Sequence, residues 1–180
     1  MVGNDIVDLM EAKNASNWQR PRFLDKLFTE LEQNYIKKAK DPFLMVWRLW
    51  SIKEASYKLY VQIYPSRFYD PRAFECSLDE NSAIVKFKRF QCHVETRLTP
   101  EFVISEARLT KQELSSKILK FNTSDQKVQS EELKKRLLDD VGGVYQLEKN
   151  EINIPTLYNG KEHLSISLTH HGSYGAFAMG

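Results

Sequence analysis

Three clusters of residues place polar chemistry where packing alone would favour hydrocarbon. The first is Asp5. Alternation from Val2 to Leu9 puts Gly3, Asp5, Val7 and Leu9 on one face of a strand, and aspartate is depleted in strands. Asp5 reads either as a strand edge or frayed terminus, or as a carboxylate on a rigid element, suited to a hard cation. The second cluster is Trp47-Arg48-Leu49-Trp50-Ser51-Ile52-Lys53-Glu54-Ala55-Ser56-Tyr57-Lys58. Trp47, Trp50, Glu54 and Lys58 follow i, i+3, i+7, i+11, the spacing of one helix face. Charges on an aromatic face are costly to desolvate unless paired or bound to a ligand. Glu54 and Lys58 are then either an i,i+4 surface ion pair or the groups that meet an anionic or metallic ligand. The third cluster is Leu164-Ser165-Ile166-Ser167-Leu168-Thr169-His170-His171-Gly172. Alternation sets His170 with Leu164, Ile166 and Leu168, and His171 with the hydroxyls. A lone histidine on an apolar face is more often a satisfied core residue than a ligand. Adjacent strand residues point to opposite faces, which argues against a joint metal site.

The elements that must position these groups follow from pattern. Pro21 to Lys40 predicts one helix, with Phe23, Leu24, Leu27, Leu31 and Tyr35 at helical spacing and Pro21 in its first turn. Asp41-Pro42 breaks it. Phe43 to about Tyr64 predicts a second, long helix that stops before Pro65. Ile84 to Leu98 alternates with a phase slip near Arg89-Phe90 that predicts a bulge, and Phe102 to Leu109 returns as the second arm of a hairpin. Lys111 to about Lys120 predicts a short helix, Asn122 to Gln129 a polar loop, and Ser130 to Asp140 a helix ended by Gly142-Gly143. Ile152 to Tyr158 and Leu164 to Thr169 predict strands joined through Asn159-Gly160, a strong hairpin turn. The fold class expected is α+β, an antiparallel sheet packed against long helices.

Composition narrows the function classes. The 180 residues predict one domain, residues 1–180, at roughly 150 residues per domain. With 26 basic and 24 acidic side chains, no global electrostatic case for nucleic acid survives. Cys76 and Cys92 are the only cysteines and form no C-x-x-C pair, so a cysteine-rich zinc site is excluded and a disulfide framework is not expected. Asp5 stands where a signal peptide would carry its apolar run, and no apolar stretch approaches the roughly 20 residues of a membrane span. A cytoplasmic protein is expected. Phosphate-loop, H-E-x-x-H and G-x-S-x-G motifs are missing, so phosphate chemistry must rest on a carboxylate-held metal and on Lys or Arg.

Taken in order, these residues resemble the 4'-phosphopantetheinyl transferase superfamily, and within it the holo-acyl-carrier-protein synthases. Gly3-Asn4-Asp5-Ile6-Val7-Asp8-Leu9 resembles the opening G-[IV]-D-[IV] strand. Arg22-Phe23-Leu24 through Leu27-Phe28-Thr29 and Glu32 resembles the helix that follows. Trp50-Ser51-Ile52-Lys53-Glu54-Ala55-Ser56-Tyr57-Lys58 matches W-[SA]-x-K-E-[AS]-x-x-K at every fixed position. Ser167-Leu168-Thr169-His170 resembles the S-[LI]-S-H strand, with Thr169 where serine is usual. The order of motifs is that of the single-module synthases. Gln62 to Leu147 is a divergent middle region, and Val7 stands where two-module enzymes carry a third metal-binding carboxylate.

The resemblance implies transfer of 4'-phosphopantetheine from coenzyme A to a serine of an apo acyl or peptidyl carrier protein, of the kind that serves fatty acid synthesis. It implies magnesium on Asp5 and Glu54, with Asp5, Glu54 and Lys58 as the catalytic set. Coenzyme A contacts are implied for Lys53, Lys58, Thr169 and His170. In the short class the metal residues and the histidine strand come from different subunits, so a homo-oligomer, a trimer, is expected; a middle region folded as a partial second module would instead close the site within one chain. The carrier is expected to be acidic and helical, with Arg20, Arg22 and Lys26 as docking candidates. A non-catalytic homologue that binds coenzyme A or a carrier, and a metal-dependent pyrophosphohydrolase, are the alternatives.

Overall fold

The computed structural model describes residues 1–66, 68 and 70–180. Arg67 and Tyr69, within the divergent middle region, lie outside the described residues. Strand β1 (Gly3–Asp8) runs directly into a seven-residue helix α1 (Leu9–Ala15). Asp8 makes that switch, because its Oδ1 accepts from the N–H groups of Met10 and Glu11 at 2.9 and 3.1 Å and so caps the helix. The expected helix from Pro21 to Lys40 is two helices, α2 (Phe23–Leu27) and α3 (Glu30–Lys38). Thr29 and Glu32 form a reciprocal capping box that starts α3 afresh. Helix α4 (Pro42–Ile63) has 22 residues and is capped by Asp41, close to the expected bounds.

After a 3₁₀ turn at Pro71–Ala73 come β2 (Glu75–Leu78), β3 (Ser82–Phe87), β4 (Phe90–Leu98) and β5 (Phe102–Arg108). They form an antiparallel sheet in the order β1-β5-β4-β3-β2. The phase slip near Arg89 is a tight turn between β3 and β4, with Phe87 opposite Phe90, and Lys88 takes the left-handed conformation at φ 52°. Alternation restarts there because the chain reverses. Helix α4 lies across this sheet and buries Val46, Leu49, Ile52 and Leu59 against Val85, Cys92, Val94 and Ala107.

The second half builds another layer: β6 (Lys117–Lys120), α5 (Gln126–Asp140), β7 (Gln146–Lys149), β8 (Pro155–Tyr158), β9 (His163–His171) and β10 (Tyr174–Met179). The sheet order is β6-β10-β9-β8-β7. The helix expected at Lys111–Lys120 does not form. Glu106 Oε2 instead draws in the N–H groups of Ser115 and Ser116 at 3.0 and 2.7 Å, and β6 pairs with β10. Helix α5 starts at Gln126 rather than Ser130, because Asp125 accepts from Lys127 and Val128. Leu133 and Leu137 of α5 pack on Phe121, Leu157, Ile166 and Phe177. This lobe thus has its own core, and Ile6, Ile104, Tyr174 and Ala176 join the two. The α+β class with antiparallel sheets holds, and the middle region is divided between both lobes.

Candidate active site

The two lobes meet along the outer edge of β1. Its N–H groups at Asn4, Ile6 and Asp8 face away from β5 and find no strand. They donate instead to side chains of β9: Asn4 to Ser167 Oγ at 2.8 Å, Ile6 to Thr169 Oγ1 at 3.3 Å and Asp8 to His171 Nδ1 at 3.0 Å. Further along the same edge, Gln62 Nε2 donates to the carbonyl of Val2 at 2.7 Å and Lys58 Nζ to that of Asn4 at 2.9 Å. Buried backbone groups must be paired, and here side chains replace a neighbouring strand. Asp8 also closes the far end, with its Oδ2 accepting from Ser173 N–H at 2.8 Å.

Helix α4 approaches β1 very closely. A Cβ on Gly3 would lie 2.0 Å from the Ala55 carbonyl oxygen and 2.6 Å from the Leu59 nitrogen, so glycine is required there. The Ser51 hydroxyl donates to the Asp5 carbonyl at 3.0 Å. Ser51, Ala55, Lys58 and Gln62 therefore form the face on β1, and Glu54 stands half-buried beside it, one turn from Lys58.

Asp5 sits where β1, α4 and β9 converge. Its Oδ1 accepts from Lys58 Nζ at 3.1 Å and from the Thr169 hydroxyl at 3.1 Å. Burial pushes the Asp5 pKa above the usual aspartate range, against the lowering pull of Lys58, Thr169 and His171. Desolvation thus outweighs the stabilisation that Lys58, Thr169 and His171 give the carboxylate. His170, next to Thr169 in the chain, lies on the opposite face of β9 with much of its side chain exposed. Partial desolvation lowers its pKa, followed by the nearby charges of Lys58 and His171. Tyr57 is raised by burial and by Glu54. No group of three or more His, Cys, Asp or Glu side chains that could hold a metal occurs among the described residues.

Asp5, Lys58 and Thr169 are thus brought into contact, with Glu54 one helical turn from Lys58 and His170 next to Thr169 in the chain. Lys53 is not. Its ammonium is buried on another side of α4, donating to Glu32 Oε1 at 2.8 Å and to the carbonyls of Pro71 and Phe74 at 3.0 and 2.6 Å. All three donors are used and the side chain is fully enclosed, so a coenzyme contact for Lys53 is corrected to a structural role. Thr169 keeps both functions of a serine hydroxyl, accepting from Ile6 and donating to Asp5. The junction also uses residues to which the sequence assigns no role: Asn4, Asp8, Gln62 and His171. Glu32, away from the junction, is legible as the end of the Thr29-x-x-Glu32 capping-box spacing. Strand β9 packs on β1 of its own chain.

A holo-[acyl-carrier-protein] synthase of Caldanaerobacter subterraneus subsp. tengcongensis is 34% identical over 58 residues, which are 32% of this chain and 45% of that protein. The aligned part thus spans less than half of the relative's length. A family model described as the 4'-phosphopantetheinyl transferase superfamily matches residues 1–110, the stretch that holds Gly3, Asp5, Glu54 and Lys58 and every strand of the first sheet. That match covers more than half of the chain, which belongs to the 4'-phosphopantetheinyl transferase superfamily.

Proposed function

We propose that the protein transfers 4'-phosphopantetheine from coenzyme A to a serine of an apo acyl or peptidyl carrier protein, releasing 3',5'-ADP. The observation that carries this reading is the junction itself: a buried carboxylate held between a lysine and a hydroxyl from three elements, in a chain of this superfamily. Asp5 and Glu54 would hold magnesium. The donor set fits, since magnesium uses one or two carboxylates and keeps phosphate oxygens and waters, and the buried charge of Asp5 is only partly compensated by Lys58. Bound there, the ion supplies neutralisation of the pyrophosphate as the phosphorus–oxygen bond breaks.

The chain's own groups do the rest. Lys58, part exposed, is free to turn its ammonium from Asp5 to a phosphate oxygen. Thr169 holds Asp5 in place. His170 presents a donor to the phosphates of the nucleotide. The serine proton passes to Glu54 or to a water beside it. Arg20, Arg22 and Lys26 are exposed around the start of α2, which supports their use in docking an acidic carrier. That β9 lies on β1 of the same chain supports a site complete in one copy, and we take the single chain rather than a trimer as the working unit. The balance of charge and two buried free cysteines support a cytoplasmic protein without nucleic acid, and no helix among the described residues is long and apolar enough to cross a membrane.

Incubation with coenzyme A, magnesium and an apo carrier, followed by intact-mass measurement, tests the reading. A modified carrier supports it. Binding without product points to a non-catalytic binder, and cleaved coenzyme A with unmodified carrier to a pyrophosphohydrolase. Mixing His170→Ala with Glu54→Gln should give no rescue; recovered activity would mean that the site is shared between copies.

A further inference from the structure

The three amides of β1 that reach across to β9 do not have equivalent acceptors. Asn4 and Ile6 donate to the hydroxyl oxygens of Ser167 and Thr169 at 2.8 and 3.3 Å. Asp8 donates to Nδ1 of His171 at 3.0 Å. A hydroxyl oxygen keeps its lone pairs at any ordinary pH. An imidazole nitrogen accepts only in the neutral ring, because both nitrogens of the cation are donors. The Asp8 contact therefore fixes the tautomer of His171, with the proton on Nε2. The ring is half-buried on the wall of a cavity that it shares with Glu11, Gln126 and Gln129, so protons have access to it.

Resting on the transferase reading above, we infer that His171 is a positioning residue whose neutral form holds the Thr169–His170 end of β9 on β1, and that its protonation releases that end. Those two neighbours are the ones the transferase reading puts to work, Thr169 on Asp5 and His170 toward the phosphates. In the cation, Nδ1–H would point at the Asp8 N–H, and two donors cannot share one bond. Asp8 is buried, and an unpaired buried amide is costly. Its own carboxylate does not stand in for the imidazole, since Oδ1 and Oδ2 already accept from Met10, Glu11 and Ser173. Around the ring stand Asp5 and Asp8 of β1, Glu11 of α1 and His170 of its own strand. Lys58 of α4 bears on His170, Tyr174 of β10 is paired with His171, and Lys120 of β6 lies over the Tyr174 ring. Helix α5 contributes the amides of Gln126 and Gln129. The three carboxylates give a protonated ring other partners to turn to. The contact is thus closed on the alkaline side of the His171 titration and open on the acid side.

Amide hydrogen exchange on the unmodified protein, followed by NMR and corrected for its intrinsic pH dependence, tests this without any substrate. Between about pH 7.5 and about pH 5.5 imidazole takes up its proton. Over that window protection at Asp8 should fall by about fivefold or more, the net effect of one hydrogen bond. Protection at Asn4 and Ile6, whose acceptors do not titrate, should stay within about twofold. His171→Asn supplies an amide oxygen in the region of Nδ1 and carries no titrating group, so its Asp8 protection should not change with pH. Transfer should follow the same order. The ratio of rates between the two pH values should be at least about threefold larger in the unmodified protein than in His171→Asn, whereas a purely structural histidine predicts one ratio for both. Constant protection at Asp8, a parallel loss at Asn4 and Ile6, or the same pH dependence in His171→Asn would each overturn the inference and leave the transferase reading standing. A chain that modifies no carrier at either pH fails the transferase reading, while the exchange at Asp8 still decides whether His171 holds the strand.

Discussion

Helix α4 carries two lysine–carboxylate pairs whose lysines are five positions apart, and they have opposite characters. Lys53 and Glu32 are both 0% exposed, and every donor of the ammonium is taken. Glu32 is equally saturated, accepting from Thr29 and Cys76 N–H groups at 2.7 Å each. Lys58 and Asp5 are 28% and 11% exposed, and the carboxylate is short of compensation. The first pair ties α3, α4 and the entry to β2 into one body. The second is left open to exchange partners. Identical residue types therefore take structural or chemical roles according to whether their hydrogen bonds are complete.

The largest effect should come from breaking the closed pair. Lys53→Met leaves the Glu32 charge buried without its partner, and should lower stability by about 3–5 kcal/mol in denaturant titration. Adding Glu32→Leu should recover part of that loss. A Lys53→Met protein of normal stability would contradict the closed character of the pair. At the open pair, Asp5→Asn and Glu54→Gln should each cut transfer by about 100-fold or more while the melting temperature stays near normal. Near-normal rates with magnesium would remove both carboxylates from the metal.

Lys58→Ala sharpens the contrast. Its pair is part exposed, so stability should change by only about 0.5–1 kcal/mol, yet turnover should fall well beyond what that loss explains. Unchanged turnover would reduce Lys58 to a surface partner of Asp5. The smallest effect concerns pH. The folded pKa of Asp5 is raised above its ordinary 3.8, so between those values the native state binds the proton more strongly. Asp5 therefore costs stability above its folded pKa, and that cost is relieved as pH falls through it. Asp5→Asn should flatten this part of the pH–stability curve in chelator-treated protein. An unchanged slope would mean that Asp5 titrates as an ordinary surface carboxylate.

The closed pair also marks what was legible in the sequence. Periodicity located α4 to within a residue or two and set Glu54 and Lys58 on one face. It could not tell that Lys53 meets Glu32, because that partner lies 21 positions away. The hairpin at Asn159-Gly160 was legible because turn chemistry is local. Strand β10 was not, since Tyr174 to Ala178 are all buried and show no alternation. Lys111–Lys120 has a helical pattern yet is not helical, because the distant Glu106 oxygens accept from Ser115 and Ser116 and hold that segment. Helix α1 is short, and only the Asp8 cap announces it. Thr169 was legible by type, and its place on Asp5 only from the packing of β9 on β1.

The seam between the lobes has a consequence for how this chain can tolerate insertion and deletion. Three backbone N–H groups donate across it, Asn4 to Ser167, Ile6 to Thr169 and Asp8 to His171, advancing two residues at a time on both strands. A slip of one residue in β9 would turn Leu168 and His170 toward β1 and carry all three acceptors to the opposite face. The amides would lose their partners together, and Asp5 would lose Thr169 in the same event. Length changes are accordingly absorbed at the turns, such as Asn159-Gly160, whereas one residue gained or lost between Ser167 and His171 breaks the register of the seam. Alignment of the halves is counted in whole pleats, with no intermediate setting.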